Sequence, residues 1–539
     1  MREPLWLILS SDYVEQELAA EFGRLPPCFL PVGMKRLFEY QIERIGAGKE
    51  VWITLPESFE PPAADLEILR HAGVQILPVP DGFSLGEAVV YVCNLIAAGG
   101  RALNLLHGDT LIDVPFAGEQ DEVAVAETAD GYSWAEVESG ADGFVASLRT
   151  VMAGVPTDRQ HPVACGYFAF STASEIVRCL VRARCDFVEG VTLYAKARRM
   201  RARRVDSWFD FGHLRTFYQS RRFVTTERAF NSLRIVNGTV RKVSSALPDK
   251  IVAEATWYAQ LPPPLRIYAA RLIDAGRTAD GDPYYETEYE YLPTLAELFV
   301  FGSLDRVSWN GIIQSCADFL TACAVRPVGV QNGTDALVTL IRPKTLDRLE
   351  QFALDSDISI DGEMRYRGRP LPSLVRIAEE VSALLDGRRP CPAPVMHGDF
   401  CFSNILYNSR VRRVRVIDPR GYVGRNETRI DGDTRYDLAK LHHSIGGRYD
   451  HIVAGRYSLR GNGNDYSIDF ENLPHQSWVE SAFMDIEIES VRADTEEVKA
   501  IGVSLFLSML PLHADQPARQ QAFVANALRL YAALAGGGM

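Results

Sequence analysis

Val395-Met-His-Gly-Asp-Phe-Cys-Phe-Ser-Asn404, followed fourteen residues later by Asp418 in Val416-Ile-Asp-Pro419, is the stretch on which the reading of this 539-residue chain turns. An apolar run delivers His397 and Asp399 into a loop, Asn404 lies five residues beyond the aspartate, and a second apolar run ends on Asp418. Two strand ends thus present a carboxylate able to accept the proton of an alcohol, then two hard oxygen groups suited to Mg2+ on a nucleoside triphosphate. The tripeptide alone says little, since His107-Gly-Asp109 also occurs without an Asn and an Asp at the same later spacing.

Asp399, Asn404 and Asp418 in this order resemble the catalytic segment of the aminoglycoside phosphotransferase and choline kinase family, distant relatives of protein kinases. The resemblance implies an α+β, protein-kinase-like C-terminal domain using ATP and Mg2+, with Asp399 as catalytic base and Asn404 and Asp418 as metal ligands. Upstream, residues 230–244 read as two strands joined by Asn237-Gly238, a strong hairpin signal, with Lys242 in mid-strand. Glu254 follows twelve residues later in the helical run 250–258. A strand lysine and a helix glutamate form the ion pair that holds the α- and β-phosphates in kinase-like folds, so both join the candidate catalytic set. Tyr285-Glu-Thr-Glu-Tyr-Glu-Tyr-Leu-Pro-Thr-Leu295 reads as a strand passing into a helix. In the resembling family the corresponding backbone holds the nucleotide base, which marks Glu288, Tyr289 and Glu290 as cofactor-binding. No glycine-rich loop precedes Lys242, only the hydroxyl-bearing segment 224–231. Helical patterns over 309–324, 347–354 and 373–385 lead to the catalytic loop, and Gly432–Ser444 resembles the segment whose aspartate, here Asp437, buttresses that loop. His442 and His443 are adjacent, point about 100° apart on a helix, and read as packing residues.

The first half has another pattern. Apolar strands at 5–9, 51–55, 74–78 and 102–106 alternate with helical stretches near 36–46, 62–72 and 84–98. This predicts a parallel α/β sheet whose ligands sit beyond the carboxyl ends of its strands. Asp109 lies at such an end, and Asp210 follows in Trp208-Phe-Asp-Phe-Gly-His-Leu214 between aromatic residues. Leu7-Ile-Leu-Ser10, Phe29-Leu-Pro-Val32, Lys35, Glu39-Tyr-Gln-Ile-Glu43, Gly108-Asp109, Gly166-Tyr-Phe168 and Trp208–Gly212 resemble the sugar-nucleotide pyrophosphorylases. That resemblance implies a GT-A/Rossmann-like mixed sheet, Mg2+ on Asp109 and Asp210, CTP or another NTP as substrate, and cofactor contacts at Ser10, Ser11 and Gly82. The pattern is broken in one place. Where the family has a glycine-rich loop with an arginine, then a lysine between prolines, this chain has Ser10–Cys28, with Glu15, Glu17 and Glu21 inside it. Either Arg24, Lys35 and Arg36 restore the positive charge from displaced positions, Arg24 and Lys35 then being catalytic, or this half no longer reacts. Arg198-Arg-Met-Arg-Ala-Arg-Arg204 reads as a solvated edge strand.

A formal charge of −13 disfavours nucleic acid and anionic membrane surfaces as partners. Nine cysteines without a Cys-x-x-Cys pair suggest reduced thiols in a cytoplasm, and no apolar run is long enough for membrane insertion. The expected organisation is a nucleotidyltransferase-like domain at 1–222 and a kinase-like domain at 223–539, its N-lobe about 223–300 and its helical C-lobe about 301–539. The two would convert a small alcohol or sugar into a nucleoside-diphosphate-activated precursor for bacterial surface polysaccharide; homo-oligomerisation is left open. The alternative is an active kinase carrying a degenerate first domain as sensor or scaffold.

Overall fold

The computed structural model of the chain describes residues 3–112, 121–128, 131–151, 161–226, 232–236, 238–325, 327–329, 333–385, 393–423 and 427–536. It divides into two units, Met1–Thr225 and Thr226–Met539.

In the first unit, strands β1 (Leu5–Leu9), β2 (Glu50–Pro56), β3 (Gln75–Val79) and β4 (Leu103–His107) pair in parallel in the order β3-β2-β1-β4. Helices α1 (Leu37–Ile45), α2 (Ala63–His71) and α3 (Leu85–Leu95) connect them. Every residue of β1 is buried, as a strand covered on both faces requires. α3 starts where Ser84 and Glu87 cap each other reciprocally. The strands that follow are β5 (Thr110–Ile112), β6 (Glu122–Thr128), β7 (Trp134–Ser139), β8 (Val145–Val151), β9 (His161–Phe170), β10 (Arg201–Arg204) and β11 (Trp208–Asp210), of which β6 to β10 make the sheet mixed. β9 runs antiparallel to β4, β6 and β7, while β5 and β11 form their own antiparallel pair. The arginine run supplies the outer strand β10, parallel to β6, with Arg203 and Arg204 paired to Glu122 and Glu127. Since β1 leads to β2 on one side and β4 lies on the other, their loops part and leave a crevice at the carboxyl ends. Leu7, Val89, Leu105, Phe168, Ile176 and Tyr194 belong to the core beneath it.

The second unit begins with an antiparallel sheet of β12 (Ser232–Val236), β13 (Thr239–Val243), β14 (Leu272–Arg277) and β15 (Pro283–Glu288), in the order β12-β13-β15-β14. The register pairs Val236 with Thr239, a two-residue connection in which Gly238 takes φ +77°. Asn237 and residues 227–231 lie outside the described residues. α4 (Pro248–Gln260) follows β13, and Thr294 starts α5 (Leu295–Phe301) by a capping box with Glu297. The helices α6 (Arg306–Ala324), α7 (Gly333–Asp355), α8 (Leu374–Ala383), α9 (Thr434–Ile445), α10 (Pro474–Met484), α11 (Glu496–Met509) and α12 (Pro517–Gly536) make up most of the remainder. α7 extends well before residue 347 and runs through Pro343, which hides the helical pattern in the sequence. A hairpin of β16 (Ile405–Asn408) and β17 (Arg413–Val416) carries the loop ends that bear Asn404 and Asp418. Among the described residues no helix is long and apolar enough to cross a membrane.

Candidate active sites

In the first unit the site is built by a close crossing of two strand ends. The Gly108 N–H donates to the Leu9 carbonyl at 2.7 Å, and a Cβ at Gly108 would stand 2.7 Å from both side-chain atoms of Ser10. Only glycine fits there, so Asp109 emerges directly at the crevice. β11 pairs with β5 so that Asp210 faces Thr110, and the Phe211 N–H donates to the Asp109 carbonyl at 2.8 Å. Two carboxylates distant in sequence thereby meet: a Cβ on Gly212 would lie 2.7 Å from Asp109 Oδ2 and 3.4 Å from Asp210 Oδ1. Burial, and then the charge of Asp109, pushes the Asp210 carboxyl up to about 7, against the lowering effect of a hydrogen bond from the Thr216 hydroxyl. Crowded hard oxygens with surplus negative charge are a donor set that suits Mg2+. They line a cavity of ≈ 230 Å³ together with His107, Trp134, Trp208 and His213.

The segment Ser10–Cys28 folds inward. Ser10 donates its N–H to Thr54 Oγ1 at 2.9 Å and accepts the Cys28 N–H on its hydroxyl at 3.0 Å, and both Ser10 and Ser11 are buried. Gln16–Phe22 is a short helix in which Glu21 is buried against the Tyr218 hydroxyl, while Glu15 lies 3.1 Å from His213 Nδ1. The expectation for Arg36 is corrected: it is buried, 3.0 Å from Asp65, and donates to the Phe29 carbonyl at 2.7 Å, so it ties the fold and offers no charge to a phosphate. Lys35 is paired with Glu43. Arg24 stays exposed with its guanidinium 3.8 Å above the Tyr13 ring, and Gly82, at φ +83°, makes the turn before α3. None of Arg24, Lys35, Ser11 and Gly82 lines the cavity that holds Asp109 and Asp210.

In the second unit three segments converge on one amine. β13 sets Lys242 opposite Tyr285, and Lys242 Nζ lies 2.8 Å from Glu254 Oε2 and 3.2 Å from Asp418 Oδ1. The Tyr285 hydroxyl donates to the same Glu254 oxygen at 2.8 Å. Burial draws the Lys242 amine down, but Asp418 and Glu254 outweigh it and hold it above its ordinary range. Glu254 also titrates above its usual range, because burial outweighs its attraction to Lys242. The Asn404 amide nitrogen donates to the carbonyl and to Oδ2 of Asp399, each at 3.0 Å, and the Ile417 N–H donates to the Asn404 carbonyl at 3.0 Å. Asn404 is thereby seated beside Asp418, whose backbone takes φ +53° and whose side chain is 46 % exposed. The amide oxygen of Asn404 and the Asp418 carboxylate are the oxygen donors that Mg2+ prefers.

α9 organises this loop with a single face. Asp437 accepts the N–H groups of His397 and Gly398 at 2.7 and 2.8 Å, Ser444 accepts that of Phe402 at 2.9 Å, and Lys440 Nζ stands 2.7 Å from Asp399 Oδ1. Positions 437, 440 and 444 follow the i, i+3, i+7 spacing of one helical stripe. Burial opposes ionisation of Asp399, yet the charges of Lys440 and Arg420 hold its carboxyl far below the usual range. His397 is fully buried, burial brings it down to about 4, and its Nε2 lies 3.1 Å from the Ile417 carbonyl, so it is a neutral structural residue. The linker expectation needs correction in detail. The N–H groups of Glu288 and Tyr289 donate to Arg271 and Gly238 carbonyls at 2.9 and 2.8 Å, and Glu290 pairs with Arg415. The Glu288 and Tyr289 amides are thus taken by backbone carbonyls and are not open to a base. Lys440, Ser444 and Arg420 escaped the sequence reading, although the spacing of Lys440 and Ser444 from Asp437 is a signal that could have found them.

No protein-family model and no curated protein matches the chain. Among solved structures, CTP:phosphocholine cytidylyltransferase from Streptococcus pneumoniae is similar at 14 % identity, covering 42 % of this chain and 100 % of that one, with a TM-score of 0.32. A UTP-bound UGPase from Acinetobacter baumannii is similar at 13 % identity over 42 % of this chain and 95 % of that one, with a TM-score of 0.33. A thermostable mutant of aminoglycoside phosphotransferase APH(4)-Ia is similar at 15 % identity over 57 % of this chain and 90 % of that one, with a TM-score of 0.38.

Proposed function

We propose that the second unit phosphorylates an alcohol of a small molecule with ATP, and that the first joins the new phosphate to CTP or another NTP with release of pyrophosphate. The observation that carries the kinase half is the meeting of Lys242, Glu254 and Asp418 in one hydrogen-bonded cluster, with Asp399 and Asn404 bonded to each other in the adjoining loop. Lys242 holds the α- and β-phosphates. Mg2+ held by Asn404 and Asp418 would neutralise charge on the β- and γ-phosphates. Asp399 orients the acceptor hydroxyl and takes its proton as the oxygen bonds to the γ-phosphorus and the bond to ADP breaks. Ionised far below neutrality, Asp399 is a weak base, which fits a loose transition state in which proton transfer comes late.

In the first unit, Mg2+ on Asp109 and Asp210 would neutralise the α-phosphate and the departing pyrophosphate. Gly108 and Gly212 let the chain approach that position without a side chain in the way. The phosphomonoester made by one unit is the nucleophile of the other, and nucleoside-diphosphate sugars, polyols or amino alcohols of this kind supply bacterial surface polysaccharides. A non-reacting first unit is favoured by one specific observation, the internal bonding of Ser10 and Arg36 where a phosphate loop would need open donors.

The test is incubation of the full chain with ATP, CTP, UTP or GTP and a panel of sugars, polyols and amino alcohols, with products weighed by mass spectrometry. A nucleoside-diphosphate conjugate lost in Asp109→Asn, and a phosphorylated acceptor lost in Asp399→Ala, are the expected results. A phosphorylated acceptor without any conjugate would establish the non-reacting first unit, and no Asp399-dependent product would overturn the kinase.

A further inference from the structure

In the second unit a cavity of ≈ 1200 Å³ opens between the start of α4, α7 and the segment just after Asp418, and two of its lining residues, Lys344 and Arg420, act electrostatically on Asp399. Its wall carries Lys344, Arg348 and Arg420. Lys344 and Arg348 are one helical turn apart, so they share a face of α7. Arg348 Nη1 is buried without a hydrogen-bond partner among the described residues, and Lys344 forms no ion pair among them. Arg420 is held from both sides, its N–H donating to the His397 carbonyl at 2.8 Å and its guanidinium 5.3 and 5.4 Å from the rings of Tyr422 and Tyr436. Burial, and then the neighbouring charges of Arg420, Lys440 and Arg348, hold the Lys344 amine well below its ordinary range, while Asp399 draws it up. Asp347 and Asp249 also line the cavity, but neither neutralises the buried Arg348 nitrogen.

Lys344, Arg348 and Arg420 put three basic groups on one partly exposed wall, and Asp399, already paired with Lys440, does not balance them all, so an anion would complete it. We infer that the acceptor alcohol of the kinase itself carries an anionic group, a carboxylate or a phosphate, bound by Lys344, Arg348 and Arg420 while its hydroxyl reaches Asp399. This rests on the kinase reading above and narrows it: a cationic amino alcohol would meet repulsion in this wall, whereas planar guanidinium groups match an oxyanion with paired hydrogen bonds. ATP loses its γ-phosphoryl group to the acceptor oxygen, and the acceptor's proton passes to Asp399. The product carries the old anion and a new phosphomonoester.

The test uses four matched pyranoses with the full chain and Mg-ATP: glucose, glucosamine, glucuronate and glucose 6-phosphate. ADP formation should favour an anionic member over glucose by at least about tenfold in kcat/KM, with glucosamine last, and the better anion identifies carboxylate or phosphate as the group recognised. Arg348→Met and Lys344→Met should each raise KM for that anion about tenfold with less change in kcat. Equal or better turnover of glucose or glucosamine would overturn the inference while leaving the kinase intact. If no pyranose turns over, inorganic phosphate titrated onto the chain in Mg-ADP decides the matter by calorimetry. Binding weakened about tenfold by Arg348→Met supports the anion site, and absent or unaltered binding overturns it. Absence of Asp399-dependent ADP formation across the whole panel of sugars, polyols and amino alcohols is the separate failure of the kinase reading.

Discussion

Lys440 Nζ lies 2.7 Å from Asp399 Oδ1, one turn along α9 from the aspartate that holds the backbone of the same loop. The amine fixes the carboxylate where an acceptor hydroxyl must arrive, and it adds positive charge where a phosphoryl group would be transferred. Replacing it by alanine removes both effects and releases the Asp399 carboxyl toward the ordinary value of about 4. Lys440→Ala should therefore lower kcat by roughly 10²-fold, in the range of other losses of transition-state charge stabilisation. The acid limb of the pH–rate profile should move upward, since the group that must be ionised now protonates at higher pH. An unchanged acid limb would deny Lys440 this part.

Lys242 and Glu254 form a buried pair, their side chains 7 % and 1 % exposed. Removing Lys242 leaves the buried Glu254 carboxylate without its main partner, at a cost of about 3–5 kcal/mol, whereas removing Glu254 leaves Lys242 still paired with Asp418 at 3.2 Å. Lys242→Met should lower the denaturation midpoint strongly and Glu254→Gln by less. The double variant should be more stable than the sum of the two effects implies, and a double-mutant cycle in urea measures the coupling.

At Gly212 a methyl group would press on Asp109 Oδ2 at 2.7 Å. Gly212→Ala should reduce pyrophosphate release at least about tenfold while ADP formation by the second unit continues. Parallel loss of both activities would point to general unfolding instead.

Asp450 is buried, accepts a hydrogen bond from the Ser444 hydroxyl, and burial pushes its carboxyl up to about 7. The unfolded chain releases this proton near pH 4 and the folded chain holds it to about 7. Folding is thus increasingly disfavoured as pH rises through that window, by roughly 1.4 kcal/mol per unit, and the penalty levels off above it. Asp450→Asn, which keeps the acceptor but has no charge to bury, should unfold at a higher Tm than the parent at pH 8. The difference should shrink toward pH 4, and a pH-independent offset would contradict this account.

What the sequence disclosed and what it withheld divide along the reach of the interactions. Strands 5–9, 51–55 and 102–106, the hairpin before Lys242 and the helix of Glu254 are written in local periodicity and turn chemistry, which neighbouring residues determine. Asp109 and Asp210 were recognisable by their aromatic and glycine flanks, and their meeting depends on the β5–β11 register that those flanks permit. The inward fold of Ser10–Cys28 depends on Thr54 and Tyr218, partners from distant segments that no spacing announces. The cationic wall of Lys344, Arg348 and Arg420 exists only because α7 packs beside the loop after Asp418. Pro343 concealed even the helix that carries it.

One face of α9 clasps amides at both ends of the 397–402 loop and supplies the amine between them. An α-helix turns by about 100° per residue, so a single residue inserted between Thr434 and Asp437 would swing all three groups away together. Loop geometry and local charge are therefore set as one package, and a change in the length of that connection would require the whole centre to be rebuilt.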